Sequence, residues 1–223
     1  MASLSAIVPA LNEAAGLAAT LASLRDGVAE IVVADGGSSD STAGLAAHSG
    51  AKVITSSRGR GAQLADGAAA AGGDWLLFLH ADTVLEPGWR KAAARFMADP
   101  GNTARAGYFT FSLDDPSPAA RRLERLVAWR CGALGLPYGD QGLLIARDHY
   151  RRLGGYRAMP LMEDVDLVRR IGRRNLVRLP ARAVTSAERW RREGWLMRSA
   201  RNLLCLALYF LGVPPQALVR IYR

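Results

Sequence analysis

The chain has 223 residues, half of them hydrophobic, and carries 29 Lys and Arg against 20 Asp and Glu for a net charge of +9. That length suits a single domain with a sizeable core, and the lack of repeats, Ser/Pro-rich linkers or low-complexity runs beyond Ala68–Ala71 argues against arrays and disordered segments. The charge is uneven, −4 over residues 1–120 and +13 over residues 121–223, so the second half suits a negatively charged partner such as nucleic acid, anionic lipid or a sugar phosphate.

Residues 4–8 read as a first strand. A helix follows, capped by Asn12, with Glu13 in its first turn and Leu17, Leu21 and Leu24 at helical spacing. Residues 30–34 make a second strand that ends on the carboxylate of Asp35. The glycine- and serine-rich run after it is a tight turn into another helix, capped by Asp40. Residues 52–55 form a short third strand, Arg58-Gly59-Arg60-Gly61 a flexible basic loop, and residues 63–71 a helix. Residues 75–79 (WLLFL) are a continuous apolar run, as expected of a strand buried on both faces of a parallel sheet. His80, Asp82 and Thr83 follow at once. In open α/β sheets ligands bind beyond the carboxyl ends of the strands, where Asp82 can hold a divalent cation and, through it, a phosphate. Alternation of strand and helix predicts βαβ units and a mostly parallel sheet. No Gly-x-Gly-x-x-Gly or Walker A loop occurs, and Gly36-Gly-Ser-Ser-Asp40 lacks the final glycine of a nucleophile elbow.

Beyond Asp82, residues 87–97 read as a helix, 106–113 as an antiparallel strand and 121–134 as a basic amphipathic helix. Tyr138-Gly-Asp-Gln-Gly142 is a turn before a strand at 143–146. Met162-Glu-Asp-Val-Asp166 opens a helix to about residue 174. Two short strands, 177–179 and 183–185, precede the segment 188–192, and an apolar helix at 195–210 carries Arg198 and Arg201 on one side. Cys131 and Cys205 show no metal or redox spacing, which fits a reduced cytoplasmic compartment. The N-terminus has no signal-peptide pattern, and the apolar segment 203–213 is well short of the ~20 residues of a membrane span.

Six pieces in fixed order resemble the family 2 glycosyltransferases: Val8-Pro-Ala-Leu-Asn-Glu13, Asp35-Gly-Gly-Ser-Ser-Asp40, Leu79-His-Ala-Asp82, Gly139-Asp-Gln-Gly142, Glu163-Asp164 and Arg189-Trp190. A closer likeness is to the radical-SAM/selenodomain-associated glycosyltransferase subgroup, through Leu-His-Ala-Asp-Thr, Gly-Asp-Gln-Gly and Glu-Asp-Val-Asp-Leu. The resemblance implies a GT-A fold, an α/β domain with a mostly parallel central sheet, flanking helices and a small antiparallel part. One domain would divide into a nucleotide-sugar half (1–115), an acceptor and catalytic half (116–192) and a basic-apolar helical tail (193–223). The implied activity is inverting transfer of a hexosyl group from a nucleoside-diphosphate sugar, with a UDP-sugar favoured, to an acceptor hydroxyl.

In that reading Asp164 is the catalytic base and Glu163 orients it or binds acceptor. Pro9, Leu11, Glu13, Asp35, Arg58, Arg60, Ala81 and Asp82 form the nucleotide-sugar site, and Asp140, Gln141, Arg189 and Trp190 the acceptor side. The cofactor is Mg²⁺ or Mn²⁺ on Asp82. His80 stands where the family has another carboxylate; it either joins a Mn²⁺ or only hydrogen-bonds. Ser186 replaces the glutamine of the processive Gln-x-x-Arg-Trp motif, which argues against polymerisation. Two readings without catalysis stand beside this one. Nucleic-acid binding is disfavoured because the aromatic residues are not interleaved with arginines as stacking platforms. A peripheral protein on the inner face of the membrane would dock its basic half and apolar tail on anionic lipid, which would imply a lipid-linked acceptor; the same tail suits a core helix or a homodimer contact.

Overall fold

The computed structural model describes residues 2–222. Its strands are β1 (Leu4–Ala10), β2 (Glu30–Asp35), β3 (Lys52–Thr55), β4 (Trp75–Phe78), β5 (Thr83–Leu85), β6 (Ala106–Leu113), β7 (Leu143–Ala146) and β8 (Leu176–Thr185). The helices are α1 (Ala14–Leu24), α2 (Thr42–His48), α3 (Arg60–Ala70), α4 (Trp89–Ala98), α5 (Pro118–Leu134), α6 (Arg147–Arg152), α7 (Glu163–Ile171), α8 (Glu188–Glu193), α9 (Trp195–Phe210) and α10 (Pro215–Tyr222).

One sheet runs in the order β3-β2-β1-β4-β7-β6-β8-β5. The first four strands are parallel, as the βαβ alternation requires. Beside β4 the direction reverses: β7 is antiparallel to β4 and to β6, β8 is parallel to β6, and β5 is antiparallel to β8. The sheet is thus mostly parallel with an antiparallel part, as the sequence suggested.

Strand alternation explains the unbroken apolar run. In β4, Trp75 and Leu77 face the core under α1 and α4, while Leu76 and Phe78 face the core under α3, α7, α9 and α10. Both sides of the strand are covered, so no position is left for a polar side chain. Each such side chain contributes roughly 1.5–3 kcal/mol of burial, which makes the β1–β4 edge a rigid base. A third cluster joins β6, α5 and α8 through Phe111, Val127, Cys131 and Trp190.

Several boundaries differ from expectation. Asn12 does not cap α1: it lies at φ +55°, and its Oδ1 accepts the Ser39 N–H at 2.8 Å. Asp40 serves two helix starts, accepting Ala14 N–H at 3.2 Å and Thr42 N–H at 3.0 Å. Arg60 is the first residue of α3 rather than part of a flexible loop. The two short strands expected near residues 177 and 183 are one, β8. Its register against β6 slips between Tyr108 and Thr110, a bulge that accommodates Pro180, which has no N–H to give the ladder.

Candidate active site

The carboxyl ends of β1, β2 and β4 lie side by side, and the segments leaving them carry the first group of candidate residues. Pro9 pairs with Ala34 and Ala10 with Asp35 across β1 and β2. Pro9 lies beyond Ile7, the last β1 residue paired with β4, so its missing N–H costs the sheet nothing. Asp35 is buried and closes its own turn, accepting N–H from Gly37 at 3.1 Å and Ser38 at 3.0 Å, together with the Ser38 hydroxyl. Leu11 is half-buried beside it. Ala81 is buried, and its carbonyl accepts the Thr20 hydroxyl at 2.8 Å, which seats α1 on the segment after β4.

Asp82, next along, lines a cleft with Arg60, His80, Tyr138, Asp140, Asp164, Arg189 and Trp190, and with Arg198, Asn202 and Tyr222 of the tail. Residues from 60 to 222 thus meet in one place. The Asp82 carbonyl accepts the Ser186 N–H at 3.3 Å, tying the end of β4 to the end of β8.

Asp164 stands in the first turn of α7. Its carboxylate accepts Gly139 N–H at 3.0 Å and Val165 N–H at 2.7 Å, which fixes its orientation toward the cleft. The residue before α7, Met162, is held at φ +66°, a conformation that costs a non-glycine residue roughly 1–3 kcal/mol and concentrates at functional sites. Glu163 points the other way, fully buried against the Arg60 guanidinium. Burial works against the Arg60 charge, but Glu163 and Asp164 overcome it and hold the guanidinium above its ordinary pKa. Burial pushes Glu163 up and Arg60 opposes that shift; the short contact between them is an ion pair that also seats Arg60 in the cleft wall.

Asp140 is the most perturbed carboxylate. Burial pushes its pKa up to about 6, Arg130 pulls it down, and the charges of Asp164 and Asp82 push it further up. Its Oδ1 is buried without a hydrogen-bond partner among the described residues. Burial likewise pushes the neighbouring Tyr138 hydroxyl up to about 12, with Arg130 opposing; the Arg130 guanidinium lies 3.4 Å above that ring. Burial, then the charges of Arg60 and Arg189, hold the His80 imidazole well below its ordinary pKa, so it is neutral at pH 7. It packs so closely on Gly139 that a Cβ there would overlap the ring.

Gln141 is turned away from the cleft. Its amide donates to the Phe109 carbonyl at 3.1 Å and accepts Tyr138 N–H at 3.2 Å, so it braces the turn that carries Asp140. Arg58 is exposed and outside the cleft. Glu13 pairs with Arg189 at 3.4 Å; burial raises its pKa, Asp82 adds to that, and Arg189 opposes it. Trp190 packs on Phe111, and its Nε1 has no hydrogen-bond partner among the described residues. Asn202 and Tyr222, which the sequence did not single out, reach the cleft because α9 and α10 fold back over it. Arg198, noticed only as one side of a helix, is buried beneath Trp190 and donates to the Tyr222 hydroxyl at 3.2 Å.

A divalent cation suits this cleft. Asp82, Asp140 and Asp164 offer hard oxygen atoms, and the orphaned Oδ1 of Asp140 lacks the positive partner that its burial demands. Among the described residues, however, no three His, Cys, Asp or Glu side chains already stand in metal-holding geometry. The protein would therefore share such an ion with a second oxygen donor such as a diphosphate.

The family model "Glycosyl transferase family 2" covers residues 5–151. Among curated proteins nothing matches. Solved structures do. Glucosyl-3-phosphoglycerate synthase from Mycobacterium tuberculosis in complex with Mn²⁺ and UDP-glucose is 21% identical, with a TM-score of 0.57 over 83% of this chain and 70% of that one. The same enzyme with Mn²⁺, UDP-glucose and phosphoglyceric acid is 22% identical, with a TM-score of 0.55 over 79% of this chain and 69% of that one. These likenesses show the fold, that of the GT-A glycosyltransferases. The chain belongs to glycosyl transferase family 2.

Proposed function

We propose that this family 2 chain transfers a sugar, a hexosyl group in the simplest case, from a UDP-sugar to an acceptor hydroxyl in a single inverting displacement. The observation that carries the reading is the meeting of Asp82, Asp140, Asp164 and Arg60 in one cleft beyond the carboxyl end of β4. Asp35, two strand spacings or about 10 Å along the same sheet edge, is set to receive the nucleobase, with Pro9, Leu11 and Glu13 beside it. Asp82, with Asp140, would hold a Mg²⁺ or Mn²⁺ ion, and that ion would supply charge stabilisation for a departing diphosphate. His80, being neutral, is free to join it or to hydrogen-bond. Arg60, kept cationic by Glu163, faces the same diphosphate. The Mn²⁺ and UDP-glucose complexes of the mycobacterial synthase support this choice of donor and ion. We also place the chain in the radical-SAM/selenodomain-associated subgroup, on the motifs around Asp82, Asp140 and Asp164.

Asp164 takes the acceptor proton. Its two backbone N–H bonds fix its carboxylate in the cleft that Asp82 also lines, which supports its role as the base. Arg189 and Trp190 form the acceptor side. The test is a donor screen followed by one variant. A thermal-shift series with UDP-, GDP- and dTDP-sugars, each with Mg²⁺ and Mn²⁺, should single out a UDP-sugar with a cation. Asp82→Ala should abolish that cation-dependent shift. Stabilisation by no nucleotide sugar would overturn the reading.

A further inference from the structure

Helix α9 carries apolar side chains on its outer face as well as on the inner face that joins the core. A surface helix normally turns its charged side chains to water and its apolar stripe to the core. Here Arg198 is buried and Arg201 largely so, both held by Glu193. The outward face carries Leu196 at 87% exposure, Met197 at 69%, Leu203 at 67% and Leu211 at 81%, with Ala200, Leu204, Ala207 and Phe210 between them. No charged residue of α9 is exposed. At about 1.5 Å per residue this apolar face runs for about 24 Å. It continues across a groove lined by Leu134, Leu203 and Phe210 onto α5, where Leu126 and Trp129 are also exposed. An apolar patch of this extent marks an interaction surface.

Its rim is basic. Arg122 and Arg125 are exposed on α5, Arg169 lies over the Phe210 ring, and Arg173 packs beside Gly135 at the end of α5. Over described residues 121–222, fourteen arginines are exposed against two carboxylates, Asp148 and Glu188. A second copy of the chain would bring two such positive surfaces together, which Coulomb repulsion opposes. A bilayer with anionic headgroups answers both features at once. Among the described residues no helix is long and apolar enough to cross a membrane.

We propose that the α9 face, with the exposed edge of α5, docks on an anionic membrane surface. The outward leucines enter the headgroup–acyl boundary, the arginines of the rim meet the headgroups, and α9 lies in the interface plane rather than across it. The inner side of the same helix lines the cleft through Arg198 and Asn202, so docking sets the cleft mouth beside the lipid surface. The proposal does not depend on the transferase reading.

The full chain and a Leu203→Glu/Leu211→Glu variant are floated with vesicles of phosphatidylcholine alone and of phosphatidylcholine mixed with phosphatidylglycerol. Both substitutions sit at exposed positions, and equal thermal midpoints and circular dichroism establish that the variant is folded. The wild type should float with the mixed vesicles, and at least about tenfold less with the neutral ones, with rising salt, or with the variant. Absence of flotation by the wild type overturns the proposal, as does equal flotation of wild type and variant. So does light scattering that finds a wild-type dimer which the variant disperses, because a second copy would then be the partner.

Discussion

The two walls of the cleft are built differently. On the sheet side three acidic groups are already engaged: Asp35 takes two N–H bonds from its own turn, Asp164 takes two from Gly139 and Val165, and Glu163 is paired through one oxygen with Arg60. On the tail side, among the described residues, Trp190 Nε1, Arg198 Nε and Asn202 Oδ1 are buried without partners. Buried polar groups are normally satisfied, so on the proposed function an acceptor would complete the second wall. The first wall has its geometry before any ligand arrives, as catalysis by positioning requires. On the proposed function, chemistry would belong to the rigid wall and choice of acceptor to the adaptable one.

That division can be broken most directly at Asp164. Asp164→Asn should lower transfer by roughly 10²–10⁴-fold while the thermal shift with a UDP-sugar and Mn²⁺ is retained. Normal transfer by this variant would move the base to another residue. Next in size is Gly61→Ala. A Cβ there would overlap the Arg157 carbonyl and fall 2.7 Å from the Met159 backbone nitrogen, at a cost of about 1–3 kcal/mol, or several degrees in Tm for a chain of this size. An unchanged Tm would mean that the contact yields freely.

Glu193→Gln tests the other wall. It removes the one carboxylate shared by Arg198 and Arg201, costing about 1–2 kcal/mol after allowance for partial exposure. It should raise KM for the acceptor more than KM for the donor; an equal rise would show that the walls are not separable.

The smallest effect is a pH dependence at Asp140. Its folded pKa, about 6, lies above the ordinary 3.8, so the folded chain binds this proton more tightly than the unfolded chain. The group therefore favours folding increasingly as pH falls from about 6 toward 4, and withdraws that contribution as pH rises through 6. Carboxylates with lowered pKa values, such as Glu30 and Asp74, act in the opposite sense. The contribution is accordingly read as the Tm of wild type minus that of Asp140→Asn, in ligand-free protein. A difference flat across that range would contradict the assigned environment.

What could be read from the residues was whatever local pattern fixes. The WLLFL run announced a strand covered on both faces because burial dictates its composition, and the helix at 195–210 was evident from its apolar period. Asp82 and Asp164 could be set on one cleft because each follows or opens a regular element. Other features depend on contacts far along the chain. Gln141 resembles a site residue by its neighbours, yet only the fold shows that its amide is taken by Phe109. Arg60 sits in a glycine-rich stretch that suggests a loop, but its pairing with Glu163, 103 residues away, holds it at the start of a helix. β5 has three residues and owes its existence to β8, so no periodicity could reveal it. Two short strands, 177–179 and 183–185, were expected, whereas the sheet makes them one and absorbs Pro180 as a bulge. The orphaned groups of the tail wall left no mark at all in the sequence.

The seam between α3 and the segment before α7 has a practical corollary. Gly61 N–H donates to the Met159 carbonyl at 3.3 Å, there is no room beside it for a methyl group, and one residue earlier Arg60 locks onto Glu163. A chimera that imports only the 116–192 segment of a relative, in the hope of transplanting a new specificity, would mismatch this joint. Exchanging that segment requires carrying positions 60 and 61 with it, although they lie in the other half of the gene.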